Sequence, residues 1–445
     1  MVIDNSSDLL ASLNIDLPGS TLATPEQILI ETRALEIFQR PEIAELKSQI
    51  SELFNADRNA KLADQAALIA QSIDEHCFHA ALIAASETPR SPGFVWSVAA
   101  GHQWMGLQVP GSRMGQDNPD NTYRFASVDP AMEYRIAGRF VAQPPTDFSI
   151  CSLPAQVGEN IAANVCAIIT RENIDIDGDG RFEILLDASP SQGQRNHLSI
   201  AGAKVLMCRD TLVDWSVERP SELRIERTDG ESMDDFDLQR ASARAAQLGM
   251  TIATFFLNVV QHGMCEVAPL NAIQVPVPSG ARGGLVTQSA TLGYYRLGDH
   301  ETLVVSVDRL GAHYLGIQLV DMWLLSYEYR HRTSSMNHLQ AIPDSDGRYR
   351  WVISAHDPGV HNWLDGSGND IGTILLRWHG IPSAAEFSSS VTAEVVKISE
   401  LPAYLPAETQ YIDPQARSEQ QAKRFRDYNF RVYSDEKSGA PSVVK

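Results

Sequence analysis

Apolar positions recur at helical spacing up to about residue 90 and at alternating, strand-like spacing through most of the remaining chain. Thr24-Pro25-Glu26-Gln27 predicts a helix start. The threonine can cap, the proline fits the first turn, and the glutamine three residues on can close a capping box. Ile28, Leu29, Leu35 and Ile37 give this helix its apolar side. A second helix is expected from Pro41 through Ile43, Leu46, Ile50 and Leu53. A third runs from about Asn59 to Ile83, with Leu62, Ala66, Ile69, Ile73 and Cys77 on one face. Residues 1 to about 20 are polar and expected to be loosely held.

From Ser91 the texture changes. Prolines and glycines punctuate short alternating runs at Val95–Val98, Tyr123–Ser127, Glu133–Phe140, Ala163–Ile169, Phe182–Asp187, Lys204–Arg209 and Glu222–Glu226. Such spacing predicts an antiparallel sandwich or barrel. Residues 234–262 return to helical spacing, opened by Asp234, Asp235 and Asp237 and stopped by Gly263. Strand texture then resumes at Gly293–Leu297, Thr302–Val307, His313–Leu319, Tyr349–Ile353, Thr373–Trp378 and Ala393–Ile398. Asp413-Pro414 opens a last helix, rich in Arg and Lys through Arg426, and a polar tail follows from Ser434 to Lys445.

Two segments of the strand-rich halves share a frame. Asp177–Arg209 and Asp344–Trp378 each begin with a D-x-D-G-R-aromatic turn, continue through a strand and a polar loop, and reach Asn196-His197-Leu198 or Asn362-Trp363-Leu364. Each closes on a strand carrying Arg209 or Arg377. The pattern reads as a duplicated β-module. The resulting fold class is α+β: a helical N-terminal region (1–90), a first β-sandwich-like module (91–232), a linking helix (233–264), a second module (265–400), and a C-terminal helix and tail (401–445).

Composition changes this picture little. Apolar residues make up 43% and charged residues 21% of 445 positions, which suits a globular chain. A net charge of −20 argues against nucleic acid and anionic membrane surfaces as partners, since both call for basic patches. No apolar run looks long enough to span a bilayer, and the acidic N-terminus lacks a signal-peptide pattern, so the expected location is cytoplasmic. Five scattered cysteines without a CxxC pair read as free thiols.

Candidate chemistry concentrates in the second module. Ser354–Trp378 holds His356, Asp357, His361 and Asp365, a histidine–carboxylate set suited to acid–base catalysis. Asn362, Trp363 and Arg377 are expected to contact substrate. The first copy's loop carries little that titrates beyond Asp187, Arg195 and His197. A second dense stretch, Gly115–Arg124, offers Asp117, Asn118, Tyr123 and Arg124 as binding groups around an Asx-rich turn. A third runs from Asp321-Met322-Trp323 to Gln340 and reads as a pocket wall or as core. His356 and His361 with an aspartate do not match a zinc signature, and His76 and His79 lack a third ligand. Asp175–Gly180 resembles the start of a calcium loop but has Leu186 where a glutamate is needed, so a hairpin turn is favoured. No P-loop, G-x-S-x-G, HExxH or GxGxxG motif appears, so no cofactor is expected.

Three blocks carry a family resemblance. GQDNPDNTYRFASVDPAMEYRIAGR from Gly115, DTLVDWSVERPSELRIER from Asp210 and DPGVHNWLDGSGNDIGTILLRW from Asp357 resemble the GDNPDxxY, DWxxE and DPGVxNWLD blocks of a bacterial domain-of-unknown-function family. Gln116 is an insertion relative to that pattern. The resemblance implies β-sandwich-like modules in a bacterial protein of small-molecule metabolism and assigns no catalytic residue. The expectation is a cofactor-independent catabolic lyase or hydrolase acting on an apolar aromatic, terpenoid or steroid-like molecule. A non-catalytic binding protein and a metal-assisted hydrolase are the alternatives. A homo-oligomer is compatible with the exposed sheet edges and helical surface.

Overall fold

The computed structural model describes residues 20–62, 65–104, 106–141, 143–159, 165–279, 287–382 and 390–433. The loose N-terminal start before Ser20, the tail from Ser434 and the start of the strand expected at Ala163 lie outside the described residues.

Thr24 caps helix α1 (Pro25–Phe38), its Oγ1 accepting the Gln27 amide at 3.1 Å. Gln27 does not close a capping box. Its side chain turns inward, where Nε2 donates to Glu31 and to the Trp96 carbonyl while Oε1 accepts the Trp96 amide. The glutamine thus pairs with a strand as a backbone would. Helices α2 (Pro41–Ala56) and α3 (Ala66–Ser86) follow, with a separate 3-10 turn at Arg58–Lys61 capped by Asp57 before α3 begins. Helix α4 (Leu238–Phe255), capped by Asp237, links the β-rich halves in sequence. In space it completes the layer made by α1–α3: Gly249 lets Leu46 and Ala80 close in. A π-turn at Phe256–His262 extends it. By length and composition Leu238–Val267 could cross a bilayer, which departs from the expectation that no run would. In this fold Ala245, Leu248, Ile252 and Ala253 of that stretch are buried in the helical core.

The first half contains β1 (Val95–Ser97), β2 (His102–Trp104), β3 (Leu107–Val109), β4 (Asn121–Ser127), β5 (Tyr134–Arg139), β6 (Asp147–Leu153), β7 (Ala167–Thr170), β8 (Arg181–Asp187), β9 (His197–Ser199), β10 (Val205–Thr211) and β11 (Glu222–Arg227). Its two main sheets run β1-β4-β10-β6-β7 and β11-β5-β8-β9. The second half contains β12 (Ala272–Ile273), β13 (Val277–Pro278), β14 (Gln288–Arg296), β15 (Glu301–Val307), β16 (Tyr314–Val320), β17 (Ser335–Asn337), β18 (Tyr349–Ser354), β19 (Trp363–Asp365), β20 (Ile371–His379) and β21 (Val391–Lys397). Its sheets run β12-β14-β20-β16-β17 and β21-β15-β18-β19. The two orders match along these paths, β13 being an extra strand that also pairs with β14, and the parallel pair falls at the same place, β8-β9 and β18-β19. The chain is an α+β fold of duplicated, sandwich-like sheet pairs.

Local details repeat as well. Asp177 and Asp344 open equivalent turns that need glycine at positive φ, Gly180 at 80° and Gly347 at 79°. The Asp177 carboxylate accepts the amides of Asp179 and Arg181, as a hairpin turn requires. In both modules inward strand residues fill the space between the paired sheets: Ile136, Ile150, Ile184 and Leu206 in the first, Ile317, Trp351, Leu376 and Trp378 in the second. The outer faces of β4, β6 and β10 and of β14, β16 and β20 meet each other and the helices. At one end Phe125, Cys151, Met207, Leu292, Val320 and Leu375 join the helical core. At the other end the same faces are polar.

Candidate functional site at the junction of the modules

Strand register builds the polar end. On β10, Thr211 lies opposite Asn121 and Asp147, and Arg209 lies opposite Tyr123 and Ser149. On β20, His379 lies opposite Gln288 and Tyr314, and Arg377 lies opposite Ala290 and Gly316. Residues two apart on a strand share a face, so Arg377 and His379 point the same way, as do Arg209 and Thr211.

Asp147 bridges the modules. Its Oδ1 accepts a hydrogen bond from His313 Nε2 and its Oδ2 one from His379 Nδ1, each at 2.7 Å. His379 is buried, packs its ring at a tilt against Tyr314 with centroids 4.6 Å apart, and has Gln288 at its other nitrogen. His313 is half exposed, and its Nδ1 has no hydrogen-bond partner among the described residues. Burial alone would push the Asp147 carboxyl up, but the bonds from His313 and His379 outweigh it and hold the group below the ordinary range. The bond to Asp147 raises His313, whereas burial lowers His379 despite the same partner. A cleft of about 580 Å³ opens here, lined by Thr146, Ser149, Thr170, Arg171, Thr211 and His313 among others. Gly380, at φ 67°, leaves room for His313: a Cβ there would meet Nδ1 at 2.1 Å.

The Gly115–Arg124 stretch braces this junction from within. Gly115 and Gln116 both adopt positive φ, 63° and 64°. Gln116 turns its carbonyl to Arg377 and donates its amide to Leu324. Asp117 accepts Ser326 through its amide and hydroxyl, and Asp117 O accepts Gln318. Burial raises the Asp117 carboxyl to about 6, against the opposing pull of Arg113 and Ser326. Asn118 donates to Tyr314, and Asp120 accepts Tyr314, Trp215 and Asn337, each at 2.8 Å. Tyr123 Oη accepts the Asn118 amide and Asn121 Nδ2, each at 3.2 Å. Of the expected binding residues, the structure therefore brings Asp117, Asn118, Tyr123 and Arg377 together. Arg124 stands apart on the inward face of β4, committed to Asp210 and Ser221.

The expected catalytic four do not converge. His356 is exposed, and Asp357 pairs with Arg417 of the C-terminal helix α6 (Pro414–Tyr433; α5 is the short Leu401–Tyr404). Asp365 is buried against Arg332 and the Ser367 amide. His361 lies between Asn362 and Gln420, lowered by burial, on a separate cavity of about 440 Å³ beside Trp215, Gln340 and Arg424. Asn362 is a structural pin. It donates to the carbonyls of Ile342 and Arg350 and accepts the Ile342 amide. Asn196 makes the same bonds to Asp175 and Glu183 in the first module. Trp363 is anchored to Ser354 O beneath Arg417. These are the bonds of a folded loop. His76 and His79 also bond inside, the Nδ1 of each to Ser72 O and Ser97 Oγ, while the buried His76 Nε2 has no partner among the described residues.

Sequence reading missed Asp147, His313 and His379 as a set. Strand β6 was not expected at all, although Phe148 and Ile150 alternate with Asp147, Ser149 and Cys151. A second signal was available: a histidine follows Arg377-Trp378, on the same strand face as the arginine.

No protein-family model matches the chain, and no curated protein does. A crystal structure of an uncharacterized protein from Burkholderia cenocepacia is similar over 83% of this chain and 100% of its own, with a TM-score of 0.68 and 24% identity. It shares the fold. The VPA0106 protein from Vibrio parahaemolyticus aligns over 63% of this chain and 90% of its own, with a TM-score of 0.39 and 10% identity.

Proposed function

We propose that the chain is an enzyme that transforms a small molecule by acid–base chemistry in the junction cleft, as a lyase or hydrolase. The observation that carries this is Asp147 holding two histidines from the opposite module at the mouth of a cleft. A carboxylate on Nε2 fixes the tautomer of His313 with Nδ1 open, so that Nδ1 takes a proton from a bound molecule and returns it later. Asp147 orients and stabilises the charged imidazole, and His379 holds Asp147 from behind. Thr146, Ser149, Thr170, Arg171 and Thr211 give the cleft polar contacts beside the apolar ones of Phe148 and Ile176, which suits a molecule carrying oxygen groups on a partly apolar frame.

A second reading has its own observation. The donor atoms of Asp147, His313 and His379 all lie within 4.8 Å of one another, a two-histidine, one-carboxylate set of the kind that ligates divalent transition metals. Elemental analysis of purified protein separates the two readings, since a stoichiometric metal lost in Asp147→Asn makes these residues ligands. The acid–base reading itself is tested with His313→Gln and Asp147→Asn against a panel of small esters, lactones and hydroxy acids. Turnover should fall by about 10²-fold or more in both. Unchanged turnover in both variants would sink the proposal, and a wild-type protein that binds without converting anything would leave a binding protein.

A further inference from the structure

Arg209 and Arg377 occupy the same place in the two copies. Each sits on the central strand of its outer sheet, two residues before Thr211 or His379, facing the junction. Neither has a carboxylate in ion-pair contact among the described residues. Arg377 is buried, and its two bonds go to neutral acceptors, Gln318 Oε1 and the Gln116 carbonyl, each at 2.5 Å. Among the described residues Arg209 bonds the Met207 sulfur at 3.6 Å and lies 5.8 Å from the Tyr123 ring, and its Nε is buried without a partner. The two guanidiniums are close enough to repel, and burial lowers Arg377. Asp117 is also near Arg377, but its carboxylate is turned to Ser326, and Arg113 lies beside it.

Arg377 is buried and Arg209 half-buried, and an uncompensated charge so placed is costly unless a counter-charge arrives. This chain carries 56 acidic residues against 36 basic ones, so carboxylates are not scarce. Their absence from this pair points to an anion from outside. Tyr123 adds a third group: its oxygen accepts two bonds, while its own proton is uncommitted among the described residues.

We infer that Arg209, Arg377 and Tyr123 form a recognition site for the oxyanion group, carboxylate or phosphate, of a small molecule. Guanidiniums match such groups through paired N–H donors. Two strand residues span roughly 7 Å, so an anion held here keeps the remainder of its molecule beside His313, Asp147 and His379. The three residues do not line the cleft itself but adjoin it, Arg209 lying opposite Ser149 and two residues before Thr211 of its wall. Their anion names the substrate class of that cleft and rests on that reading for what happens to the molecule, though not for its binding.

The test is calorimetric titration and thermal unfolding of the full chain with inorganic phosphate and, separately, benzoate, against sodium chloride at equal ionic strength. One or both anions should bind saturably and raise the melting temperature beyond the chloride control. Arg209→Gln should weaken that binding by about tenfold or more. Because Arg209 has only a weak bond to the Met207 sulfur and its contact with the Tyr123 ring to lose, the same variant without anion should melt close to wild type. His313→Gln should bind the anion normally, so loss of turnover there and loss of binding in Arg209→Gln fail independently. A response to phosphate alone assigns a phosphorylated molecule, and one to benzoate alone a carboxylate. No response beyond chloride, or full binding by Arg209→Gln, overturns the inference. Arg377→Gln serves as a second variant, expected to weaken binding while also losing its bonds to Gln318 and Gln116.

Discussion

Asn196-His197-Leu198 and Asn362-Trp363-Leu364 sit at the same point of the two modules, at the start of the short parallel strands β9 and β19. The asparagines do identical work, each stitching its loop to the preceding strand and turn. The next position differs. His197 bonds to Asp187 and Ser191 within its own loop, whereas Trp363 bonds to Ser354 O and lies under Arg417 of the C-terminal helix. The richer loop of the second copy is thus explained by the helix docked on it. Divergence of another kind appears on the outer sheets. In register with the conserved pair Arg209 and Arg377, Asp147 of the first copy matches Tyr314 of the second, and Thr211 matches His379. Neither copy alone holds a histidine–carboxylate cluster there. It forms because one copy supplies the acid and the other the imidazoles.

Trp363→Ala should cost the most, about 3–5 kcal/mol of unfolding free energy, with His197→Ala costing clearly less in urea titrations. Equal losses would break the distinction between the two loops. Asn196→Ala and Asn362→Ala should each cost about 0.5–1.5 kcal/mol, because each loses hydrogen bonds to backbone groups that lie largely at the surface. A loss in one module only would show that the pins are not equivalent. A smaller effect concerns pH. Asp321, which has no counterpart in the comparison above, is raised by burial to about 7, against the pull of the Leu325 and Trp323 amides and Ser72. Its folded value lies above the ordinary 3.8, so the stability it contributes is full below that value and fades as pH rises to about 7. Asp117, raised to about 6, acts in the same direction. Asp321→Asn keeps the hydrogen bonds, so its urea midpoint should change less between about pH 4 and pH 7 than that of wild type. A variant with the same pH dependence as wild type would show that Asp321 is ionised throughout. His356→Ala should move stability by no more than about 0.5 kcal/mol and leave turnover intact, since that residue is exposed and outside the cleft.

Much of the frame was legible along the chain. The Thr24-Pro25 helix start, the D-x-D-G-R turns, the acid-led helix from Leu238 and the paired texture of the two β-rich stretches are local signals, set by capping chemistry, turn conformations and side-chain period. The duplication was legible because both copies keep the same turn, asparagine pin and arginine. The candidate site was only half legible. Tyr123, Asn118 and Arg377 stood out by density of polar groups, but Asp147, His313 and His379 are isolated residues at strand ends, Asp147 lying 166 and 232 positions from the two histidines. Local density instead drew attention to His356–Asp365, where polar groups are needed simply to fold a loop and seat a helix. The sequence by itself determined the elements, their period and their repetition, since those depend on neighbours within a few residues. Only tertiary structure decided which strand faces meet, where a polar face ends and a helical core begins, and which charges are left without a partner, because those depend on the register between chains of contact that no local pattern encodes.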